Sequence, residues 1–443
     1  MSQEISGTYY IETYGCQMNE HDSEKMALLL EELGLAPAQS PDHARVVIVN
    51  TCSIREKAEH KVYSALGKLK SLKRRNPEMI TVVAGCVAQQ EKQKLLKRID
   101  HLDLVLGTHS IAELPRALER VAQTRERSAL TEFSQNTESL HLPAPNKGKS
   151  PVCSYVTIMQ GCSNFCTYCV VPYTRGPEQS RPAHEILEEV RGLAGTGVRE
   201  ITLLGQNVNA YGNDLPDGMS FAQLLEQLDK VEPLDRIRFT TSHPRDFNDD
   251  LIAAIRDLER VCEHVHLPLQ SGSDRVLSAM RRGYSLAQYI EKTDRLREEV
   301  SGVAITADMI VGFPGETEAD FNATVEALTK IRFDQIFSFK YSPRPGTAAL
   351  RLPDHLTEDV KSLRLSRIHE VQDQITEEYH KAAEGTEEEV LIEGVRQRDN
   401  QGFGRTRTNK IVNLNRPDGI GPGDLVKVRI TRGLKHSLIG EVI

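Results

Sequence analysis

Residues 158–176 read IMQGCSNFCTYCVVPYTRG and place three of the chain's eight cysteines, Cys162, Cys166 and Cys169, within eight positions. Iron–sulfur clusters are held by cysteine thiolates at short fixed spacings, because one loop must wrap a corner of the cluster. A CxxxCxxC triplet offers three thiolates to four irons and leaves one iron open. A structural zinc site is the alternative, and it needs a fourth ligand to close its tetrahedron. Cys153 lies nine residues upstream on an expected strand, and the first histidine after the triplet is His184.

Outward toward the N-terminus, strand-like and helix-like stretches alternate. Residues 8–14 (TYYIETY), 45–50 (RVVIVN), 79–84 (MITVVA) and 102–106 read as strands, and 21–33, 55–75 and 111–121 as helices. That order argues for a parallel sheet covered by helices. Cys16, Cys52 and Cys86 each fall just after a strand and before a helix. Ligands of open α/β sheets bind outside the carboxyl ends of strands, so a shared ligand would explain three cysteines in equivalent slots. Three small buried hydrophobes would be the plain alternative. Residues 126–150 are polar, end in Pro, Gly and Lys, and read as a linker.

Beyond the triplet the βα alternation resumes, with strands expected at 155–160, 200–204, 236–241, 264–267, 305–311 and 335–339. Six such units are too few for an eight-stranded barrel. Their post-strand loops are candidate binding loops. Gly205, Gln206 and Asn207 follow the second strand, where amides suit either a bound ligand or a turn. HLPLQSGS (266–273) follows the fourth, and Gly312 opens GFPGET after the fifth. Tyr168 either packs on an adenine or joins the core.

From about residue 384 the pattern changes to short β-like runs at 390–395, 410–415, 425–430 and 438–443, separated by Gly, Pro and Asn. That suggests a small barrel. Residues 396–435 hold ten Lys/Arg against three Asp, although the chain's formal net charge is −8. Clustered charge rather than net charge sets a nucleic-acid footprint. Arg405, Arg407 and Lys410 are the candidate phosphate contacts, and Phe403 either stacks on a base or plugs the barrel. Hydrophobic content of 39% and charged content of 27% fit an ordinary soluble protein. There is no run of eighteen apolar residues and no secretory N-terminal pattern, so a reducing, cytoplasmic location without a membrane span is expected.

The triplet, with GCSNFCTYCVVPYTRGPEQSRP around it, resembles the radical S-adenosylmethionine (SAM) superfamily and its methylthiotransferase branch. Within that branch it is most similar to the enzymes acting on N6-isopentenyladenosine in tRNA. The resemblance covers nearly the whole chain: YGCQMN, NTCSIRE and AGCVAQ match the family's three auxiliary-cluster cysteines, HLPLQSGS its HxPxQSGS, and GFGRTRTNK a TRAM RNA-binding domain. It implies an α/β architecture of three parts. Residues 1–125 form a parallel-sheet domain holding an auxiliary cluster on Cys16, Cys52 and Cys86. Residues 151–383 form an open (β/α)6 partial barrel, and 384–443 a TRAM-like barrel. It further implies two 4Fe–4S clusters, with SAM cleaved to a 5′-deoxyadenosyl radical at the Cys162/Cys166/Cys169 cluster. A second SAM would donate methyl, the substrate would be C2 of an adenosine in the tRNA anticodon stem-loop, and an electron donor such as flavodoxin or ferredoxin would serve a monomer. Neighbouring readings are action on threonylcarbamoyl-adenosine in tRNA or on a ribosomal-protein aspartate. A non-catalytic, zinc-stabilised RNA-binding protein is the distant one.

Overall fold

The computed structural model describes residues 6–53, 56–133, 152–216, 218–396, 401–415 and 419–443. Strands Gly7–Tyr14, Val46–Thr51, Ile80–Gly85 and Leu104–Leu106 form where expected, and two more join them. The sheet is wholly parallel, in the order Leu35–Pro37, Gly7–Tyr14, Val46–Thr51, Ile80–Gly85, Leu104–Leu106, Ser128–Leu130. Its central strands are buried throughout, as strands covered on both faces must be. Alternate residues serve opposite faces: Val46, Ile48 and Val82 pack with Met26, Leu30 and Leu118, while Val47, Val49 and Val83 pack with Val62, Leu66 and Leu69. The expected linker 126–150 starts too early. Ser128–Leu130 pairs with Leu104–Leu106 as the edge strand, because an edge needs only three residues of ladder and tolerates polar ends; residues 134–151 lie outside the described residues.

The middle of the chain contains two three-stranded parallel blocks. Cys153–Thr157, Glu200–Leu204 and Arg236–Phe239 form one, and His264–His266, Ala304–Val311 and Gln335–Lys340 the other. A bridge between Ile237 and Val261 joins them into a six-stranded partial barrel. The strand expected at 155–160 is interrupted: Met159–Gln160 turns away to pair antiparallel with Gln179–Ser180. Most helices on the outside start at side-chain caps, including capping boxes at Ser220, Ser285 and Thr317, each satisfying helix-end amides that would otherwise be orphaned. The 25-residue helix Glu358–Ala382 leads to the tail.

The tail is a closed five-stranded barrel in the order Glu387–Val395, Gln401–Thr406, Ile411–Asn415, Leu438–Val442, Leu425–Gly433, around Val390, Ile392, Val412, Leu414, Val428, Ile430 and Leu438. The strand that sequence reading missed is Gln401–Thr406, whose Gly-Phe-Gly start looks like a loop. A β-carbon at Gly404 would run into the carbonyl oxygen of Leu391 across the pair, so close approach, rather than chain freedom, explains that glycine. No helix among the described residues is long and apolar enough to cross a membrane.

Candidate functional site

Two trios of thiols sit at the carboxyl ends of two parallel sheets. In the first domain, Cys16, Cys52 and Cys86 directly follow three adjacent strands, and adjacent strands lie only about 4.8 Å apart. Side chains from the flanking segments fix the loops. Asn19 Nδ2 donates to Asn50 Oδ1 at 3.2 Å, and Asn50 Nδ2 donates to the Asn19 carbonyl at 2.7 Å, both buried. The Cys16 thiol donates to Asn19 Oδ1 at 3.4 Å. Its pKa is lowered to about 6, first by a hydrogen bond with Cys52, then against its burial by the charge of Arg175. Burial pushes the Cys86 thiol up, and Arg175 opposes that.

Arg175 is the residue that sequence reading passed over. It belongs to the second domain, six positions after Cys169, yet its side chain is buried beside the first domain's cysteines. Nη2 donates to Asp22 Oδ2 at 2.7 Å, with 3% and 5% of the two side chains exposed. Nη1 is buried without a hydrogen-bond partner. The short helix Val171–Thr174 carries the backbone across: the Thr108 hydroxyl donates to the Thr174 carbonyl at 2.7 Å, and His109 Nε2 meets the Arg175 carbonyl at 2.9 Å. The only sequence signal was the adjacency of TRG to the triplet.

The second trio occupies the loop after the first strand of the partial barrel. Gly161 has φ +82°, and a β-carbon there would collide with the Pro177 carbonyl. Its amide donates to Gln206 Oε1 at 2.5 Å, so the expected Gln206 supports the cysteine loop. Cys162 is approached by Asn164 Nδ2 at 3.5 Å, and Asn164 in turn accepts from Arg245 at 2.6 Å. Arg282 reaches Cys166 Sγ and the Tyr168 hydroxyl, each at 3.4 Å, and the Pro268 carbonyl at 3.1 Å. Tyr168 packs against Val276, Met280, Phe313 and Tyr341. Burial raises the thiol of Cys162, and raises that of Cys169 to about 12 with help from Cys166.

Around this trio the post-strand loops converge. Asn207 Nδ2 donates to Asp246 at 2.8 Å while its Oδ1 is buried and unpartnered. Asn209 and His243 exchange hydrogen bonds at 2.8 and 2.9 Å. Burial, then Arg282, depresses His243 to about 3, and its Nε2 is also unpartnered. His243, for which no sequence motif offered a signal, therefore belongs to this face. Gly205 is packed so closely on Met159 that a β-carbon would not fit. Gly312 donates its amide to Glu316 Oε2 at 3.1 Å and touches Lys361.

The residues fit iron–sulfur clusters on the chemistry of their donors. Each trio supplies three thiols and one buried guanidinium, a cation suited to an anionic thiolate-ligated group. Thiols held up by burial become ligands when a metal displaces their protons.

The four expected RNA contacts lie elsewhere, and three of them are committed within the chain. Arg407 holds Glu263 through two bonds of 2.7 and 2.8 Å and the Val261 carbonyl at 2.7 Å. Arg405 pairs with Glu393 at 3.1 Å and Lys410 with Asp334 at 3.5 Å. From the partial barrel, buried Arg236 and Arg238 donate to the carbonyls of Glu389, Arg405, Thr406 and Arg407 at 2.7–3.0 Å. These contacts gather at the amino ends of strands Glu200–Leu204, Arg236–Phe239 and His264–His266, away from the cysteine loops at the carboxyl ends. Arg407 and Lys410 thus tie the small barrel to the partial barrel, and Arg405 pairs within the small barrel, uses that charge counting does not reveal. Phe403 is not in the barrel core; its half-buried ring lies against Gly394.

The model of the uncharacterized protein family UPF0004 matches residues 8–107, that of the Radical SAM superfamily residues 156–328, and that of the TRAM domain residues 381–443. A tRNA-2-methylthio-N(6)-dimethylallyladenosine synthase of Carboxydothermus hydrogenoformans is 47% identical over 98% of this chain and 99% of its own. One of Geotalea uraniireducens is 49% identical over 98% of each. Among solved structures, the radical S-adenosylmethionine methyltransferase TsrM from Kitasatospora setae, with cobalamin and a 4Fe–4S cluster bound, is similar in fold. Its TM-score is 0.58 at 14% identity, over 78% of this chain and 77% of that one.

Proposed function

Because the chain belongs to the tRNA-2-methylthio-N(6)-dimethylallyladenosine synthase family, we propose that it inserts a methylthio group at C2 of N6-dimethylallyl-adenosine, next to the anticodon of tRNA. It is an enzyme, a radical SAM tRNA methylthiotransferase. The observation that carries the two-site reading is the presence of two separate thiol trios joined by the short segment 169–175. When bound, clusters at these trios supply an open iron for SAM with a one-electron source at Cys162, Cys166 and Cys169, and a sulfur-bearing site at Cys16, Cys52 and Cys86.

The chain's own residues do the rest. Gly161 and Gln206 fix the loop that presents Cys162. Arg282 holds Tyr168 beside Cys166, with the tyrosine ring set against the Val276, Met280, Phe313 and Tyr341 cluster. Asn207 Oδ1, a buried acceptor, and His243 Nε2, a buried donor because Nδ1 accepts from the Arg245 amide, both lack partners and are the groups we assign to SAM's polar edges. Gly205 and Gly312 keep the walls of that face low. Two SAM molecules, one for the radical and one for methyl, account for the chemistry of the product. On the small barrel, Phe403 offers a ring face to a base. Phosphate contact falls to Lys427 and Arg432, which are exposed and, among the described residues, lack an ion-pair partner. Reduction by a flavodoxin or ferredoxin, and a monomer in the cytoplasm, complete the reading.

Mass spectrometry of tRNA nucleosides from cells with and without the protein tests the substrate. Loss of the 2-methylthio derivative of N6-dimethylallyl-adenosine alone is expected; loss of a threonylcarbamoyl derivative, or no tRNA change, would overturn it. Cys162→Ala is expected to abolish SAM cleavage with about half the iron kept, and Cys52→Ala to keep SAM cleavage while stopping sulfur insertion. Full product from Cys52→Ala would refute the auxiliary site.

A further inference from the structure

The auxiliary trio is not completed by its own domain. Its three cysteines come from the parallel-sheet domain, but the cation beside them comes from the partial barrel, on the segment that also carries Cys169. Arg175 and Asp22 form a pair with almost no solvent exposure. Burying an ion pair costs several kcal/mol per charge in desolvation, so apolar residues of similar volume would serve simple domain packing as well or better. The pair is also asymmetric. Asp22 takes Nη2, and Nη1 is left buried with no oxygen acceptor, on a guanidinium that lies beside Cys86 and Cys16.

We infer that Arg175 is a positioning residue for the auxiliary site. Anchored by Asp22, it places a fixed positive charge against the thiolates of Cys16 and Cys86 and so sets the reduction potential of the cluster they hold. This rests on the two-cluster reading above. A nearby cation favours the more negative, reduced state of a cluster, and a nearby anion disfavours it; cluster potentials respond to local charge and hydrogen bonds to sulfur. The placement has a second consequence. The charge is present only while the two domains are docked through Val171–Thr174, so docking and auxiliary potential are linked. The other trio has the same device in Arg282, supplied from within its own domain.

The test uses the full chain with Cys162, Cys166 and Cys169 all replaced by alanine, so that any remaining cluster is the auxiliary one. Iron content and an EPR-monitored redox titration are then read for three further changes. Arg175→Gln should shift the midpoint to more negative potential, and Asp22→Asn should shift it to more positive potential. Arg175→Lys should return it toward the parent value. Opposite signs are the discriminating result, because mere loosening of the interface would move both variants the same way. Equal midpoints in all variants with iron retained, or shifts of one sign, would overturn the role of Arg175 and leave the cluster assignment standing. A triple-alanine parent that binds no iron–sulfur cluster would overturn the two-cluster reading and this inference together. Where Arg175→Gln alone fails to fold, the Asp22→Asn arm decides, since it keeps the arginine and predicts its own sign.

Discussion

Replacing Arg238 with methionine keeps an unbranched stem and removes the guanidinium and its charge from the joint between the partial barrel and the small barrel. Arg238 is 5% exposed. It donates Nε to Glu200 Oε1 at 2.9 Å, Nη1 to the Arg407 carbonyl at 2.7 Å and Nη2 to the Thr406 carbonyl at 2.7 Å. Breaking a buried pair by removing one partner costs about 3–5 kcal/mol, and each orphaned carbonyl adds about 1 kcal/mol at the low end. Among the described residues, Glu200 is then left with Arg236 Nη1 alone as an ion-pair partner, at 3.9 Å. The expected loss is therefore about 5 kcal/mol in local docking, less what repacking recovers. Hydrogen exchange reads this directly: at about 1.4 kcal/mol per tenfold, amides of strand Gln401–Thr406 should exchange on the order of a thousandfold faster, until another opening limits them. Core strands such as Ala304–Val311 should change little. Pairing the change with Glu200→Gln should recover part of the loss, because the uncompensated carboxylate is gone. SAM cleavage without tRNA should persist, since the joint is at the far ends of the strands from Cys162. Exchange at 401–406 within about threefold of the parent would refute the claim that these arginines hold the barrel in place.

Arg282→Gln should lower the rate of 5′-deoxyadenosine formation about 10–100-fold at unchanged iron content, the loss of a charge-assisted contact of about 1.5–3 kcal/mol; an unchanged rate would remove Arg282 from the site. For tRNA binding, Lys427→Ala with Arg432→Ala should flatten the slope of log K against log salt by roughly 1.4–1.8, at about 0.7–0.9 per phosphate. Arg405→Ala or Arg407→Ala should weaken binding with little change in that slope, and the reverse pattern would return those two to the RNA surface. Burial pushes the Asp320 carboxyl up, but bonds from Arg275, Ser273 and Thr317 outweigh it and hold the group well below the usual carboxylate range. Its contribution is thus present above about pH 4 and lost as pH falls through the depressed folded value. Asp320→Asn should flatten acid unfolding in that window, measured by circular dichroism, and an unaltered acid limb would show that the carboxylate contributes nothing.

Local pattern alone determined most of the elements and where both sets of cysteines fall, just after strands. Val46–Thr51 and Ile80–Gly85 are largely apolar runs each followed at once by a cysteine, and a run that must be buried on both faces announces a parallel strand whatever surrounds it. The CxxxCxxC spacing likewise lies within one loop, so it survives without tertiary information. Tertiary structure decided what depended on residues far apart in sequence. Gln401–Thr406 is a strand because Gly404 must admit the Leu391 carbonyl, a contact invisible until the barrel closes. Arg405, Arg407 and Lys410 looked like free charge because their carboxylates, Glu393, Glu263 and Asp334, lie 12, 144 and 76 positions away. Arg175 was hidden for the same reason: Asp22, Cys16 and Cys86 come from the other domain. A charge is legible in sequence, but its use is fixed by the field of its neighbours, and only folding brings those neighbours within a few ångströms.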